Sequence, residues 1–533
     1  MAAARWTRRD LLGTSLRMGA GAAALGAVGL GNPPRRAERL VSWSSPAQAV
    51  GAPLFNSTPS PPGMQRFVSR PDLTPPQVSV QRAPTYTSQP LPFYVFLSPD
   101  PGTAPGSAGA MILDTKGELV WWSPVGRGVT SQGIPFNFRV QSYGGQPVLT
   151  YWQGSFDAGH GYGHYVLLDD AYRVVRRVYA GNELAGDLHE FLVTPYGSAL
   201  ITCYYRPKVD PTRYHGVAQE IDIATGAVRF QWQTLYQVSP SESYSGGEDF
   251  FHINSVDLWP TPAGDYRQDL IVSGRNVWAA YRVSRDTPGG RIIWKLGGTR
   301  TRQNIFTYAA GTGFAWQHDV RALADRTGVS IFDDAIGPPS KETQARGMVL
   351  NVDMTTRQVT PRHYYYHYTT PGGLKVPYEG NVQLLPNGGH FVGWGGVPWF
   401  SEYGPSGSTV NGTILLDGQL PAHYSSYRAY LANWVGNPPE SELALKVLPG
   451  PSSGQYLAFM SWNGATRVAY WHLVAGPSSD STLPEVAVLP REGFETHAVV
   501  SVSGSPASLD FRAYAIGEEG QVLGRSARVG PSS

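Results

Sequence analysis

The chain has 533 residues, and its 62 Gly and 44 Pro make roughly a fifth of it turn formers, against about 12% in average proteins. With aromatics at 12% and charged residues at only 15%, the composition favours packed β-structure over helical bundles or disorder. The formal charge of +2 is a feature of the N-terminus: residues 1–49 hold seven Arg against Asp10 and Glu38, and without them the balance is −3, which leaves no cationic excess for a nucleic-acid backbone.

In chain order, the first element is an adjacent pair, Arg8-Arg9 in TRRDLLG, ahead of an apolar segment from Met18 to Leu30. This pattern predicts a twin-arginine signal peptide over 1–49, with Ala47-Gln48-Ala49 as cleavage site and the twin-arginine translocase as a transient partner. The apolar segment is shorter than the ~20 residues that a spanning helix needs. The expectation is a secreted or extracytoplasmic protein with no stable membrane insertion after cleavage. Residues 50–91, rich in Pro, Ser and Thr, read as a linker or a strap.

From residue 92 a hairpin pattern recurs, in which a strand, a turn with Asp or Gly, and a second strand with an aromatic follow one another. Its copies begin at Ala110, Tyr165, Ala218, Ala279, Arg346 and Phe400, and the turn positions Asp114, Asp169, Asp222, Asp286, Asp353 and Gly404 lie 51 to 67 residues apart. Between them stand other strand pairs, such as FRVQSYGGQPVLTYW and HEFLVTPYGSALITCYY. Four short strands per repeat and six repeats predict an all-β fold, a six-bladed β-propeller over 92–430. Trp121, Trp122, Trp232 and Trp294 are then packing between blades. Cys203, the sole cysteine, excludes an intrachain disulfide and any cysteine-based metal cluster, and its setting ALITCYY reads as a buried strand thiol. After about residue 430 the period fails, and short alternating strands predict a small antiparallel β-sandwich of fibronectin or immunoglobulin type over 431–533, with Trp462 in its core.

The inner strand pairs carry the candidate chemistry. Aligning them puts His189, His252, His318 and Asn381 at the start of four consecutive inner strands, at intervals of 63, 66 and 63 residues. Equivalent positions in successive blades point at one axial spot, so three imidazoles and an amide are expected to converge. Asp187, Glu190, Asp249, Asn254, Asp319, Arg321 and Glu379 flank them, and Arg275 and Arg346 stand at other strand ends expected to meet the same funnel. Three His could ligate Zn²⁺, but guanidiniums at a metal site would repel the ion, whereas they suit a sulfate or phosphate. Neither metal nor cofactor is therefore expected. An imidazole attacking a sulfuryl group would split transfer into two displacements, with a second His or an acid protonating a phenolic leaving group. The same residues could instead form a hydrogen-bonded plug in a channel without chemistry.

DFFHINSVD at Asp249–Asp257, SGR at Ser273, WKLGG at Trp294, WQHDVR at Trp316 and EGNVQLLPNGGHFVGWGGVPWFSEY at Glu379 together resemble the arylsulfate sulfotransferase (ASST) family, in its actinobacterial and fungal branch. The resemblance spans about residues 90–480. It implies a six-bladed propeller that moves sulfate between phenols, an aryl sulfate donor and a phenol acceptor, without the nucleotide donor PAPS, through a sulfohistidine in a His and Arg funnel. Carried over, His252 and His318 match funnel histidines and Arg346 the sulfate-binding arginine, making His189, His252, His318 and Arg346 the catalytic set and Asn254, Arg275, Arg321, Glu379 and Asn381 the substrate-binding one. The family's nucleophilic histidine has no counterpart: Asn381 stands there, and His390 lies on the following strand. The alternatives are a binding or cell-surface interaction propeller and, on the DxxTGxxxxxW pattern at Asp222–Trp232, a quinone- or metal-dependent oxidoreductase. Tyr204, Tyr205, Trp394 and Trp399 are candidates for stacking on a phenol ring.

Overall fold

A computed structural model describes residues 63–86, 93–130, 133–260, 268–298, 304–337, 339–340, 342–367, 373–405 and 413–532. The expected signal peptide and the first part of the linker lie outside the described residues. The chain is all-β, with strands punctuated by short 3₁₀ turns, and among the described residues no helix is long and apolar enough to cross a membrane.

Six sheets, antiparallel but for one added strand of the fifth, follow one another between Phe93 and Asn433. The second is the simplest: Phe136–Tyr143, Gln146–Asp157, His160–Leu168 and Val174–Val178 pair in chain order as a meander. The third (Phe191 to Gln233) and fourth (Ile253 to Gly297) repeat that order, as do the fifth (His318 to Tyr365) and sixth (Asn381 to Gln419), which each gain one extra strand. In the fifth it is Thr307–Tyr308; in the sixth it is Ser79–Arg82 from the segment read as linker or strap. The first sheet is composite. Phe93–Leu97, Gly109–Asp114 and Leu119–Pro124 receive their fourth strand, Ala429–Asn433, from the far end of this region. That strand runs past 430, the boundary expected from the repeat.

Apolar side chains on both faces of these strands explain why the sheets stack on one another rather than expose a face. Six buried clusters occupy the spaces between successive sheets. One joins the first and second through Phe96, Ile112, Phe138 and Tyr151, the next the second and third through Trp152, Tyr165, Ile201 and Cys203, and so on until Phe391 and Phe400 of the sixth meet Val95 and Met111 of the first. Trp121, Trp122, Trp232 and Trp294 all belong to such clusters. Cys203 is fully buried, and burial pushes its thiol far above the ordinary range.

Polar side chains link each sheet to the next. Gln141 of the second sheet bonds the backbone of Phe191 and Val193 in the third, and Tyr204 of the third donates to the Ile253 carbonyl of the fourth. Asn254 and Ser255 bond the fifth at Gln317 and Val320, Asp319 accepts from Val382 N–H of the sixth, and Asn381 and Gln383 bond Ala429 and Leu431 of the first. The Tyr430 hydroxyl then donates to Asn137 of the second.

The C-terminal residues form two further sheets, one of Leu443–Pro449, Gln455–Trp462 and Glu495–Ser501, the other of Tyr470–Pro477, Glu485–Pro490, Leu509–Ile516 and Val522–Arg525. They share a single apolar cluster that includes Trp462, Trp471 and Phe511. Asn463 fastens them to the first sheet by bonding both the N–H and the C=O of Trp122, and the 63–86 segment adds a second tie where Val68 and Ser69 N–H donate to Glu495.

Candidate active site

His189, His252 and His318 come together where the leading strands of the third, fourth and fifth sheets begin, and each ring is oriented by a carboxylate at Nδ1. His189 Nδ1 lies 2.6 Å from Asp187 Oδ2, and His318 Nδ1 lies 2.7 Å from Asp334 Oδ2. His252 Nδ1 makes a short hydrogen bond to Asp249 Oδ2. The rings of His189 and His252 are 4.8 Å apart at 87°. Among the described residues, Nε2 of His189 and of His252 has no hydrogen-bond partner, whereas His318 Nε2 accepts the Glu379 backbone N–H at 3.3 Å. That bond fixes the His318 tautomer: Nδ1 carries the proton and points it at Asp334.

Local backbone explains the placement. Asp249 accepts the His252 N–H at 2.9 Å as well as its ring, and the Arg275 N–H donates to the His252 carbonyl at 2.9 Å. These bonds hold His252 at φ 51°, a left-handed conformation that costs a non-Gly residue energy and is found where surroundings over-determine it. Asp187 is fixed by Gly161 N–H at 2.7 Å and Thr202 Oγ1 at 2.9 Å.

The electrostatics favour the neutral form of His252 and His318 beside fixed positive charge. Burial drives His318 far below the ordinary imidazole range, with Arg275, His252 and His189 adding repulsion. His252 is lowered by burial too, against the pull of Asp249. Burial opposes ionisation of Asp249, but His252 and His160 outweigh it and hold the carboxyl below its usual range. Arg275 forms no ion pair among the described residues. It bonds the Asn276 side chain and the Pro377 carbonyl, its Nε is buried without a partner, and its guanidinium lies 5.0 Å from the Trp316 ring. Burial lowers its pKa. A half-buried guanidinium that forms no ion pair among the described residues, beside the imidazoles of His252 and His318, is a ready seat for an anion. Glu379 stands next to them at φ 72°, with Oε2 buried and unpartnered. Burial, with Asp100 adding repulsion, pushes its carboxyl up to about 8.

The other expected site residues lie elsewhere. Asn381 turns its amide to the sixth-to-first sheet junction, Nδ2 to Ala429 O and Oδ1 from Ala429 N, both 2.9 Å, so the expected convergence of three histidines and an amide is corrected to three histidines. A short side chain that is both donor and acceptor matches the free N–H and C=O of a buried neighbouring strand. Asn254 likewise donates to Gln317 O at 2.7 Å. Arg346 is occupied by Asp333 at 3.0 Å, the Gly313 carbonyl at 2.8 Å and Tyr366 at 3.3 Å, and no bond or ring contact among the described residues joins it to the histidines. Arg321 belongs to a buried ionic network: it pairs with Glu190 and Asp319, which also hold Arg428, while Arg139 takes the other oxygen of Glu190. Tyr204 stays near the histidines, its ring 6.1 Å from His252, but Trp394 is core, bonded to Ser401.

Three residues of the cluster escaped the sequence. Asp334 follows the second strand of the fifth sheet, where the register His318↔Phe332 returns the chain to the level of His318. His160 opens the third strand of the second sheet and reaches Asp249 with Nε2 at 3.1 Å. Arg428 precedes the strand Ala429–Asn433, a repeat unit too far from its own sheet to be counted. His160, Asp249 and His252 also offer ligand atoms within 4.8 Å of one another, the one cluster among the described residues with the reach to hold a metal ion. Asp249 lies in direct hydrogen-bond contact with both imidazoles, which is the geometry of shared protons.

Comparison with known proteins agrees with the chemistry. A family model described as Arylsulfotransferase (ASST) matches residues 139–413, just over half of the chain, and contains all three histidines, their carboxylates and Arg275. No curated protein matches the chain in sequence. Among solved structures, a candidate 6-phosphogluconolactonase from Bacteroides fragilis covers 65% of this chain and 100% of its own at 10% identity and TM-score 0.34, a likeness that carries no argument. On the family match, the chain belongs to the arylsulfotransferase (ASST) family.

Proposed function

We propose that the protein transfers a sulfuryl group from a phenolic sulfate ester to a phenolic acceptor, without a nucleotide sulfate donor, at the three His–Asp pairs. The observation that carries this reading is the closeness of two imidazoles, each with an open Nε2, to Arg275, a guanidinium that forms no ion pair among the described residues. Arg275 binds the sulfuryl oxygens and neutralises charge as the bond order at sulfur changes. An imidazole Nε2 lone pair attacks sulfur, the S–O bond to the aryl group breaks, and the departing phenolate takes a proton from an acid. Glu379, protonated up to about 8, is that acid. The acceptor phenol then gives its proton back to the carboxylate as its oxygen attacks sulfur and the N–S bond breaks. The sum is one sulfate ester and one phenol exchanged, with no other reactant.

The six sheets are the blades of a six-bladed propeller on this reading. The clusters between successive sheets, the last closing on the first, support it, and so does the composite first sheet. Residues 92–433 are then the propeller and the C-terminal sheets a sandwich of fibronectin or immunoglobulin type. The leader over 1–49 makes the protein an exported one, and replacing Arg8-Arg9 by Lys-Lys while following its location tests that: unchanged export excludes the twin-arginine route. The resemblance of the EGNVQLLPNGGHFVGWGG segment supports the actinobacterial and fungal branch.

The activity is tested by mixing the protein with 4-nitrophenyl sulfate, with and without phenol, and following nitrophenolate. Release that depends on phenol is the expected result. No release in either condition overturns the proposal and favours a binding propeller.

A further inference from the structure

Asp249 differs from the other two site carboxylates. Among the described residues it alone accepts from two imidazoles, His252 Nδ1 and His160 Nε2, the latter at 3.1 Å. His160 is nowhere near the repeat positions of the other histidines. It is clamped: its side chain is 4% exposed, stacked 4.1 Å from Tyr214 and set edge-on 4.5 Å from Tyr204. Arg206 lies 3.9 Å from the Tyr214 ring, which completes a layered support from outside.

The turn that delivers His160 serves two of the acids. It passes through Ala158 at φ 46° and Gly159 at φ 82°, then sends the His160 ring to Asp249 and the Gly161 N–H to Asp187 Oδ1. Gly159 sits so close to His252 that a Cβ there would be 3.3 Å from Cε1 of that ring. The second sheet therefore backs the dyads of the third and fourth.

The three imidazoles are not equivalent as nucleophiles. His318 is 2% exposed and its Nε2 lone pair is occupied by the Glu379 N–H. His189 is 4% exposed, and His252, at 13%, is the most open of the three, with its Nε2 unpartnered. When an imidazole Nε2 bonds to sulfur its ring becomes cationic, and the proton left on Nδ1 needs an ionised acceptor. Asp249, fixed from both sides, supplies one without reorganising.

Resting on the function proposed above, we infer that His252 Nε2 is the atom that takes the sulfuryl group, and that His160 is a positioning residue that fixes the His252 ring through Asp249. The N–S bond forms as the aryl S–O bond breaks, and the Nδ1 proton stays between His252 and Asp249.

The test uses the whole protein and 4-nitrophenyl sulfate labelled with radiosulfur, quenched and digested in alkali because N-sulfo-imidazole is acid-labile. Label on the peptide that carries His252 is the expected result. Turnover with label on His189 or His318, or turnover with no protein-bound label, overturns the inference and leaves the sulfotransferase reading standing. Absence of both turnover and label overturns that reading itself, and the inference with it. For His160, H160F keeps a ring against Tyr214 and removes the donor, while H160Q keeps an N–H for Asp249. H160F is expected to lower kcat by about ten- to hundredfold, the worth of one hydrogen bond to a charged group, with KM for the aryl sulfate little changed, and H160Q to recover most of the loss. Equal rates in H160F and wild type, or no recovery in a folded H160Q, overturn the positioning role. If H160F does not fold, H160N, with its shorter amide, takes its place against H160Q.

Discussion

Glu190 follows directly on His189, and Asp319 directly on His318, yet the neighbours live in opposite surroundings. Glu190 and Asp319, with Arg139, Arg321 and Arg428, form a buried network in which each charge meets an opposite one: Arg321 lies 2.5 Å from Glu190 and 2.6 Å from Asp319, and Arg428 is 3.5 and 3.4 Å from the same two acids. Arg428 also donates to the Asn254 carbonyl, and its guanidinium faces Tyr427. One residue away, among the described residues, the histidines have their Nδ1 atoms satisfied and two Nε2 atoms open, and Arg275 feels Asp334 and Asp249 without an ion pair to either. The same strands thus supply a layer in which every charge is ion-paired, though Nε of Arg139 and of Arg428 is buried without a hydrogen bond, and a layer in which Arg275 forms no ion pair among the described residues. The ion-paired layer is a plug that ties sheets together, and the histidine layer is the one with an unpaired cation beside open imidazole nitrogens.

Variants that exchange the behaviour of the two layers would break this comparison. H252A should lower sulfuryl transfer by about a thousandfold or more, the scale for loss of a nucleophile, while its urea midpoint stays near wild type; a comparable loss of stability would place His252 in the plug. R428M should do the reverse, costing about 3–5 kcal/mol of stability because Glu190 and Asp319 lose a buried counter-charge, measured by urea unfolding. R275A should reduce kcat/KM for an aryl sulfate by about ten- to hundredfold with a smaller shift in urea midpoint than R428M, since it breaks no ion pair. A kcat/KM unaffected by R275A would remove this guanidinium from the anion seat.

The remaining prediction is a pH dependence. Glu379 is raised in the folded protein to about 8 from 4.5, so between those values the folded state holds a proton that the unfolded chain has released. Stability from this group is therefore lost as pH rises through that window, by at most about 1.4 kcal/mol per pH unit. E379Q should flatten the difference in urea midpoint between pH 5 and pH 8, both inside the window the two pKa values define. An E379Q profile parallel to wild type would show Glu379 ionised and unable to act as the acid.

Much of this was legible in the sequence because the repeat is strong. Each hairpin read from Asp and Gly turns is a hairpin in a sheet, and the spacing of His189, His252 and His318 brought their rings to one place. Spacing could not supply side-chain direction. Asn381 sits at the right strand position but spends its amide on Ala429, and Arg346 spends its guanidinium on Asp333 and the Gly313 carbonyl. Nor could it supply partners from other strands. Asp334 and His160 reach the cluster from a second and a third strand, where no repeat position marks them. Arg428 was hidden for a different reason, because its strand completes a sheet begun at Phe93.

That composite sheet also sets a timetable for the chain. Phe93 pairs with Asn433, 340 residues later. At ribosomal rates of about 5–20 residues per second, the strand Phe93–Leu97 waits from roughly 20 seconds to more than a minute for its neighbour. Until then one of its edges has no strand to pair with, the condition in which nascent β-chains associate with each other. Every product cut short before Ala429 keeps that edge for good, so synthesis has to run through Ala429–Asn433 before the first sheet can be finished.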